Sequence, residues 1–416
     1  MKKEILAIGL FGALAASAFA QQGAVPSGVP HLDHAFVIMM ENHGYSQIIG
    51  NPNAPFVNWY ARQSNLATNY FAVAHPSLTN YLETVGGSNF GVLDDNNPRW
   101  HSTSCLPNLA TGDPNLESTP SAICPIAGSG TEAATPAQDC SNEVSGPPCD
   151  INVNGTVSYP ASHTTLAITI ADQLVAAGKS WKTYQESLPL TGANWVNYSD
   201  GNFTNNTNFS KINPQLTPPL STSDIVQLYA VKHNPFAYFA AVQEGTNPML
   251  SLNQMFPFDG ATGLWSELGS GNLPNFSYIV PNQCNDQHGR GNAGAFCNFD
   301  PNDNGSQAGL NPALILLGDQ AVQRIVTAIK ASPVWSQGQN VIVVIWDEND
   351  YSASPNTNQV AAIVDTNFGP HGKTSANFYT HFSLLRTLEG GFGLPCLNHA
   401  CDSSTAAMSD LFGQKP

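Results

Sequence analysis

Short apolar runs alternate along the chain with segments whose apolar residues recur at helical spacing. The runs lack polar alternation, which is typical of strands buried on both faces of a sheet. Strands are predicted over His34–Met40, residues 181–184, Phe276–Val280 and residues 341–346. Helices are predicted over residues 55–64, 77–85, 164–177 and Pro312–Ala331, and residues 359–364 and 377–388 complete the series.

This alternation predicts an α/β fold, a three-layer α/β/α sandwich around a largely parallel central sheet. In such folds ligands bind beyond the carboxyl ends of the strands. Glu41 and Asn42 follow the first predicted strand, and Asp347, Glu348 and Asp350 follow the last strongly apolar run. We therefore expect both acidic clusters to lie at the same edge of the sheet.

The chain is expected to form one domain, residues 21–416, preceded by a cleaved secretory signal at residues 1–20. That signal combines Lys2 and Lys3 with an apolar run shorter than a membrane-spanning helix and a final Ala-Phe-Ala site. Cleavage leaves no stable membrane anchor and delivers a secreted or periplasmic protein. An insertion at about residues 101–160, rich in Pro, Gly, Ser and Thr, is predicted to be a disulfide-stapled loop.

The cysteines are expected to form disulfides, because they are even in number and the chain is exported. They fall into couples that are near in sequence: Cys105 with Cys124, Cys140 with Cys149, Cys284 with Cys297, and Cys396 with Cys401. The first four could also pair crosswise, since spacing alone does not fix connectivity.

The chain is acidic, with a formal net charge of −16 and only 14 Lys and Arg among 416 residues. This balance repels nucleic-acid backbones and anionic lipid surfaces, so no nucleic-acid partner is expected. An anionic substrate therefore has to be attracted by local positive charge. With so few basic residues, a bound metal ion is favoured over an arginine cluster as the source of that charge.

Two acidic segments at predicted strand ends carry residues suited to metal binding. Glu41 and Asn42 offer hard oxygen ligands for a cation, although such a pair is also common in surface turns. Asp347, Glu348 and Asp350 are crowded enough to raise one another's pKa unless a cation neutralises them. The alternative for this second segment is a solvated acidic turn.

Ser77 opens an apolar-periodic helix directly after Pro76, and this position has two interpretations. A serine there can serve as the N-cap of the helix. Backbone N–H groups and the helix dipole also favour a phosphoryl group at that place, so Ser77 could be a nucleophile. Asn80, one turn further on, could donate to a phosphoryl oxygen.

The loop after Phe276–Val280 sets Asp286 and His288 two residues apart, so that an oxygen and an imidazole could reach one centre. His233 and His381 are isolated histidines, which are more often structural than catalytic.

These segments together resemble the bacterial phosphoesterase family of acid phosphatases and phospholipases C, relatives of the alkaline phosphatase superfamily. The resemblance runs from His34 to about Pro395 and implies an alkaline-phosphatase-like fold. It rests on the segments VIMMEN (37–42), HPSLTNY (75–81), KHNPF (232–236), IVPN (279–282), NDQH (285–288), WDEND (346–350) and HFSLL (381–385).

The resemblance also implies the roles of individual residues. It implies that these residues gather around one divalent metal: Glu41, Asn42, Ser77, Asp347 and Glu348. It implies that these residues line the phosphoryl pocket: Asn80, His233, Asp286 and His288. The residue matching Ser77 attacks phosphorus in that family, which predicts a phosphoserine intermediate. His288 or His233 is expected to protonate the leaving alcohol.

The expected activity is metal-dependent hydrolysis of a small phosphate ester or a phospholipid-derived substrate. HPSLTNY looks closer to the acid phosphatase branch, which favours phosphomonoesters. Cleavage of phosphodiester lipid head groups, as by a phospholipase C, is the alternative, and an inactive exported binding module is an alternative of another class. The oxygen-rich ligands favour Ca, Mg or Mn, while the superfamily resemblance keeps Zn and Fe open.

Overall fold

The computed structural model describes residues 22–90, 95, 167–188, 228–290, 295–349 and 358–413. In these residues the strands are β1 (His34–Met40), β2 (Asn65–Ala67), β3 (Tyr70–Phe71), β4 (Trp181–Gln185), β5 (Met255–Pro257), β6 (Phe276–Val280), β7 (Asn340–Trp346), β8 (Ala362–Thr366), β9 (Thr374–Ser375) and β10 (Tyr379–Thr380). The α-helices are α1 (Tyr45–Ile48), α2 (Pro55–Gln63), α3 (Ser77–Gly86), α4 (Ile170–Ala176), α5 (Ala240–Glu244), α6 (Leu264–Ser270), α7 (Pro312–Ala331) and α8 (His381–Phe392).

An eight-stranded sheet in the order β5-β4-β6-β1-β7-β8-β2-β9 forms the centre of the fold. The strands from β5 to β7 are parallel, whereas β8 runs antiparallel to both of its neighbours. The strands β1 and β7 are buried along almost their whole length. Because both faces are covered, these strands need no polar alternation, which accounts for their continuous apolar sequences. The fold is therefore α/β with a mixed, mostly parallel sheet.

The helices divide into two groups that account for the two outer layers. The helices α2 and α6 pack against α7, and all three lie in connections that cross the sheet in one direction, which right-handed crossovers place on one face. The helices α3, α4 and α8 pack on one another in the second group. Asp319 of α7 joins two members of the first group, because its carboxylate accepts the N–H groups of Phe56 and Val57 at 3.2 and 2.7 Å. It thereby binds backbone N–H groups that have no partner within the helix at the start of α2.

The strands β6, β1 and β7 carry the loops that form the functional edge. Met40 pairs with Trp346 in the parallel ladder of β1 and β7. The next residues continue this alignment, since Asp347 N donates to Met40 O at 2.9 Å and Glu41 N donates to Asp286 O at 2.8 Å. The segments that follow the three strands are thus tied together by backbone hydrogen bonds.

Most of the predicted elements form close to their predicted bounds. The predicted helix at residues 164–177 begins at Ile170 in the described residues, where Thr169 caps it. The predicted segment at residues 377–388 divides into β10 and α8, which begins at His381. Ser77 is not the N-cap of α3, because it is the first helical residue and Pro76 holds the cap position. The residue at the cap position makes no side-chain hydrogen bond to this helix, so the capping interpretation of Ser77 is wrong.

Two predicted disulfides are present, Cys284–Cys297 and Cys396–Cys401. Disulfides are typical of proteins exported to an oxidising compartment. No helix in the described ranges is both long and apolar enough to cross a bilayer. Several predictions lie outside the described residues: the signal at residues 1–20, the insertion at about 101–160 with Cys105, Cys124, Cys140 and Cys149, and Asp350.

Candidate active site

Ser77 lies at the centre of a buried polar cluster at the carboxyl edge of the sheet. As the first residue of α3 it is only 2% exposed. Its hydroxyl donates to Glu41 Oε2 at 3.1 Å and is 3.3 Å from Glu348 Oε1. The helix α3 thus presents a hydroxyl to carboxylates from the segments after β1 and β7, which are about 300 residues apart in sequence.

Burial disfavours the charged forms of the Glu41 and Asp347 carboxylates beside Ser77. Burial raises the pKa of the Asp347 carboxyl well above its usual range, and the charge of Glu348 raises it further. Burial also raises the pKa of Glu41, with the charge of Asp347 as the next cause. Asp347 Oδ1 accepts the backbone N–H of Asn42 at 3.1 Å. Asp347 Oδ2 has no hydrogen-bond partner within the described ranges, although the Ser77 hydroxyl is near enough to lower the pKa of that carboxyl.

Glu348 is held by two polar side chains from the segment around the start of α3. His75 Nδ1 lies 2.6 Å from Glu348 Oε2, and Asn80 Nδ2 donates to the same oxygen at 3.2 Å. The amide oxygen of Asn80 accepts the N–H groups of Val73 and Ala74, both at 3.1 Å. Asn80 therefore fixes the chain before α3 and faces the carboxylate cluster with its amide nitrogen.

His233, Asp286 and His288 form a second group on the other side of Glu41. His233 Nε2 lies 3.1 Å from Glu41 Oε1, and His233 Nδ1 lies 3.3 Å from Asp286 Oδ2. The His233 ring stacks on Tyr81 of α3, whose hydroxyl donates to Glu41 Oε1 at 2.5 Å. Glu41 is thus shared between the serine side and the histidine side of the cluster.

Glu41, His233 and His288 form a possible metal-binding group, because their ligand atoms lie within 4.8 Å of one another. This set differs from the predicted set of Glu41, Asn42, Ser77, Asp347 and Glu348 and shares only Glu41 with it. The predicted set is rich in oxygen, whereas the second set combines one carboxylate with two imidazoles, a mixture that also suits Zn and Fe.

Burial disfavours the charged forms of both imidazoles of the second group. Burial lowers the pKa of His233 well below its usual range, and burial with the nearby Lys232 charge lowers the pKa of His288 to about 3. His288 Nδ1 lies 2.9 Å from the carbonyl oxygen of Gly289, so this nitrogen carries the ring proton.

Lys232 and Asp95 belong to this cluster and were missed as site residues by the sequence reasoning. The Lys232 side chain is 1% exposed, and its Nζ donates to Asp95 Oδ2 at 2.8 Å and lies 3.2 Å from His288 Nε2. Asp95 Oδ1 accepts the N–H of Leu78 at 3.0 Å, in the first turn of α3. Lys232 directly precedes His233 in the segment KHNPF. A basic residue next to a candidate site histidine was the signal that the sequence offered.

A shell of polar residues fixes the loop that carries Asp286 and His288. Glu186, at the end of β4, accepts the N–H of Asn282 at 3.0 Å and the side-chain amide of Asn285 at 2.8 and 2.9 Å. Gln287 adopts a left-handed φ of 84°, so Asp286 and His288 turn toward the site on either side of it. His381 has both ring nitrogens engaged by the protein itself, at 3.0 Å from the Tyr70 hydroxyl and at 2.6 Å from Asp347 O, so neither nitrogen is free to act in the candidate site.

The predicted site residues therefore gather around Glu41. Ser77, Asn80, Asp347 and Glu348 lie on one side, and His233, Asp286 and His288 lie on the other. Asn42 joins the cluster through its backbone N–H. The arrangement offers a buried hydroxyl, several buried carboxylates, and a lysine with imidazoles, which suits binding of a cation together with a phosphoryl group.

Comparisons with known proteins agree with this chemistry. Residues 51–297 match the model of the phosphoesterase family. A phosphatidylinositol-3-phosphatase of Mycobacterium tuberculosis is 24% identical over 417 residues, covering 98% of this chain and 94% of that protein. An acid phosphatase of Aspergillus fumigatus is 22% identical over 365 residues, covering 87% of this chain but 55% of that protein, so the chain spans about half the length of this fungal relative.

Among the solved structures that match this chain is a protein of the alkaline phosphatase superfamily from Vibrio parahaemolyticus. It is 12% identical, the match covers 92% of this chain and 72% of that chain, and the TM-score is 0.46. The family match extends over more than half of the chain and includes Ser77, His233, Asp286 and His288. The chain belongs to the phosphoesterase family and is a hydrolase of phosphoric ester bonds.

Proposed function

We propose that the chain is an exported, metal-dependent acid phosphatase that cleaves phosphomonoesters through a phosphoserine at Ser77. In this proposal residues 1–20 are removed as a signal and residues 21–416 act as one domain. The observation that carries it is the position of the Ser77 hydroxyl, 3.1 and 3.3 Å from two buried carboxylates, Glu41 and Glu348. The names of the bacterial and fungal relatives describe phosphatases, which favours a monoester over the diester of a phospholipase C.

A divalent cation fits the residues on the serine side of the cluster. The carboxylates of Glu41, Asp347 and Glu348 crowd around one hydroxyl, and Asp347 Oδ2 is buried without a hydrogen-bond partner in the described ranges. Buried carboxylates are strongly disfavoured unless they are paired or coordinate a metal. The proposed ligands are Glu41, Asn42, Ser77, Asp347 and Glu348. A cation bound there would offset negative charge on the phosphoryl group and favour ionisation of the serine hydroxyl.

Ser77 acts as the nucleophile in the proposed reaction. Its proton moves to Glu41 or Glu348, toward which the hydroxyl is already directed. The Ser77 oxygen then bonds to phosphorus as the bond to the leaving alcohol breaks, and water later releases phosphate from the phosphoserine. Asn80 Nδ2 contacts phosphoryl oxygens in this proposal, and the dipole of α3 stabilises their charge, although the Leu78 N–H itself is bound to Asp95. The buried Lys232 adds positive charge next to His288.

The leaving alcohol needs a proton, for which His288 and His233 are the candidates. Both rings are next to Glu41, and His288 is the more exposed of the two. Binding of a phosphoryl dianion beside Lys232 would raise the pKa of either ring and allow it to take up the proton that it then gives to the alcohol. Asp286 orients His233 through its Oδ2, 3.3 Å from His233 Nδ1.

A panel of substrates and metals tests the proposed function. Purified residues 21–416 are treated with chelator and then assayed with Ca²⁺, Mg²⁺, Mn²⁺, Zn²⁺ or Fe²⁺ on an aryl phosphomonoester, a phosphoinositide monoester and phosphatidylcholine. We expect activity to disappear with chelator, to return with at least one ion, and to be greater on monoesters. Full activity in the metal-free protein would refute metal dependence, and a preference for phosphatidylcholine would favour a phospholipase C.

Gly318→Ala should impair the site from a helix outside it. Gly318 is in the middle of α7, where an added Cβ would lie 2.2 Å from Gln287 Cγ. Displacing Gln287 breaks two hydrogen bonds of its side chain. Its amide oxygen accepts Trp346 Nε1–H and its amide nitrogen donates to Ile315 O, both at 2.9 Å. Displacing it shifts Asp286 and His288, so we expect kcat/KM on an aryl phosphate to fall about tenfold or more.

The matched control for this variant is Gly269→Ala in α6. A Cβ at Gly269 meets nothing within 4 Å. We expect unchanged activity and a gain of up to about 1 kcal/mol in the free energy of unfolding, because alanine favours a helix over glycine. Equal activities of the two variants would show that Gln287 does not position the site.

A further inference from the structure

The candidate site reaches solvent through a small part of its lining. Glu41, Ser77 and His233 are at most 2% exposed. In contrast, Asn42 and His288 are partly exposed. Within the described residues, a substrate whose phosphoryl group occupies the cluster has its alcohol closest to solvent beside these two residues.

Phe299 lies beside this opening with its ring in solvent. The side chain is 53% exposed, and its ring contacts the His288 ring edge-on at a centroid distance of 6.0 Å and an angle of 70°. The other large apolar side chains exposed in the described part of the chain are Val25, Trp59 and Met249. A single exposed apolar residue is ordinary in itself. What sets Phe299 apart is its contact with a residue of the candidate site.

The backbone on both sides of Phe299 is held in place. Asp300 Oδ2 lies 2.8 Å from His43 Nε2, and Asp300 Oδ1 accepts the N–H of Asn311 at 2.6 Å. On the other side, the disulfide Cys284–Cys297 joins the segment to the loop of His288. Gly289, with φ 88°, packs so closely that an added Cβ would lie 3.2 Å from the Phe299 backbone. Because the backbone that carries it is fixed, the Phe299 ring can bind a ligand with little loss of conformational entropy.

The geometry of phosphoryl transfer places the leaving group on this side of the site. In an in-line displacement the leaving oxygen is opposite the attacking oxygen. Ser77 contacts Glu41 Oε2, whereas the histidine group approaches Glu41 Oε1. An alcohol that leaves away from Ser77 is therefore directed to the histidine side of the site, where the Phe299 ring contacts His288.

We propose that Phe299 is the leaving-group wall of the site and selects phosphomonoesters whose alcohol carries an aromatic or other apolar surface. The inference rests on the proposed function, because it assumes a phosphoryl group between Ser77 and His288. The contact would be an offset or edge-on packing of the alcohol against the phenyl ring, which removes apolar surface of both from water.

Two esters that differ in one phenyl group test this inference. Values of kcat/KM for 2-phenylethyl phosphate and ethyl phosphate are measured for the wild type and for Phe299→Ala, so that the ratio of the two values cancels general effects on the chemistry. We expect Phe299→Ala to lower that ratio by about three- to tenfold, mainly through KM for the phenyl ester. Phe299→Leu keeps an apolar side chain without the ring and should give an intermediate ratio.

Met249→Ala is the matched control, because Met249 is 47% exposed and its carbonyl accepts the indole N–H of Trp181 at the β4 side of the sheet. Its ratio should equal that of the wild type. An unchanged ratio in an active Phe299→Ala enzyme would overturn the assignment of Phe299 alone. If the wild type cleaved neither ester with any cation, the proposed function would fall and this inference with it.

Discussion

Replacing Ser77 by alanine is expected to lower kcat on phosphomonoesters by about three orders of magnitude or more, while the fold is kept. Removal of an attacking nucleophile eliminates the covalent route, so only slow direct hydrolysis remains. Ser77 is buried in the first turn of α3, where its side chain does not cap the helix. Alanine is a good helix former at this position, so a folding defect is not expected.

The experiment measures kcat on an aryl phosphate, the melting temperature and the metal content of the same preparations. Acid quenching during turnover of a labelled ester should trap phosphate on the wild-type chain and none on Ser77→Ala. The matched control is Ser277→Ala, because Ser277 is also buried and its hydroxyl has no hydrogen-bond partner in the residues described. Turnover of Ser77→Ala near the wild-type rate, or label retained on its chain, would remove Ser77 from the nucleophile's role.

The sequence was sufficient to predict the sheet and the edge at which the site lies. His34–Met40 and Phe276–Val280 formed strands with the predicted bounds. Both could be predicted because a strand that is covered on both faces has a continuous apolar sequence. The position of Glu41 and Asp347 followed from the rule for parallel sheets. The short strands β2, β5 and β9 were not predicted, since two or three residues carry too little periodicity to distinguish a strand from a loop.

The sequence did not predict how the candidate site divides around Glu41. Lys232, His233 and Asp95 come from irregular segments, and their approach to His288 depends on tertiary packing that no local pattern encodes. For Ser77 the local pattern left two interpretations open, a helix cap and a nucleophile. Its place before an apolar-periodic helix indicated a cap, but the preceding proline took that position and left the hydroxyl free to face the carboxylates.

Replacing Asp347 by asparagine is expected to abolish the response of the protein to its cation. Asparagine keeps the size of the side chain and an oxygen that can accept the N–H of Asn42, but it removes one of the crowded negative charges. Because burial and Glu348 both disfavour the charged form of Asp347, the metal-free variant should melt at or above the temperature of the metal-free wild type. The cation-dependent stabilisation, about 2.7 kcal/mol at 100 times Kd, should be lost together with at least about a hundredfold in kcat/KM.

Asp365→Asn provides the opposite case and makes the prediction for Asp347 specific. Asp365 is buried like Asp347, with 2% of its surface exposed. Its carboxylate, however, is paired with Lys330 Nζ at 2.5 Å and accepts a hydrogen bond from the Tyr60 hydroxyl at 2.9 Å. Breaking that pairing should lower the melting temperature while the shift on adding cation is kept, because a buried charge that has partners contributes to the fold. If Asp347→Asn behaved like Asp365→Asn, with a lower melting temperature and an intact cation response, Asp347 would be a structural carboxylate. A metal ligand is expected to behave differently. Its buried charge destabilises the metal-free protein, and the free energy of cation binding compensates for that burial.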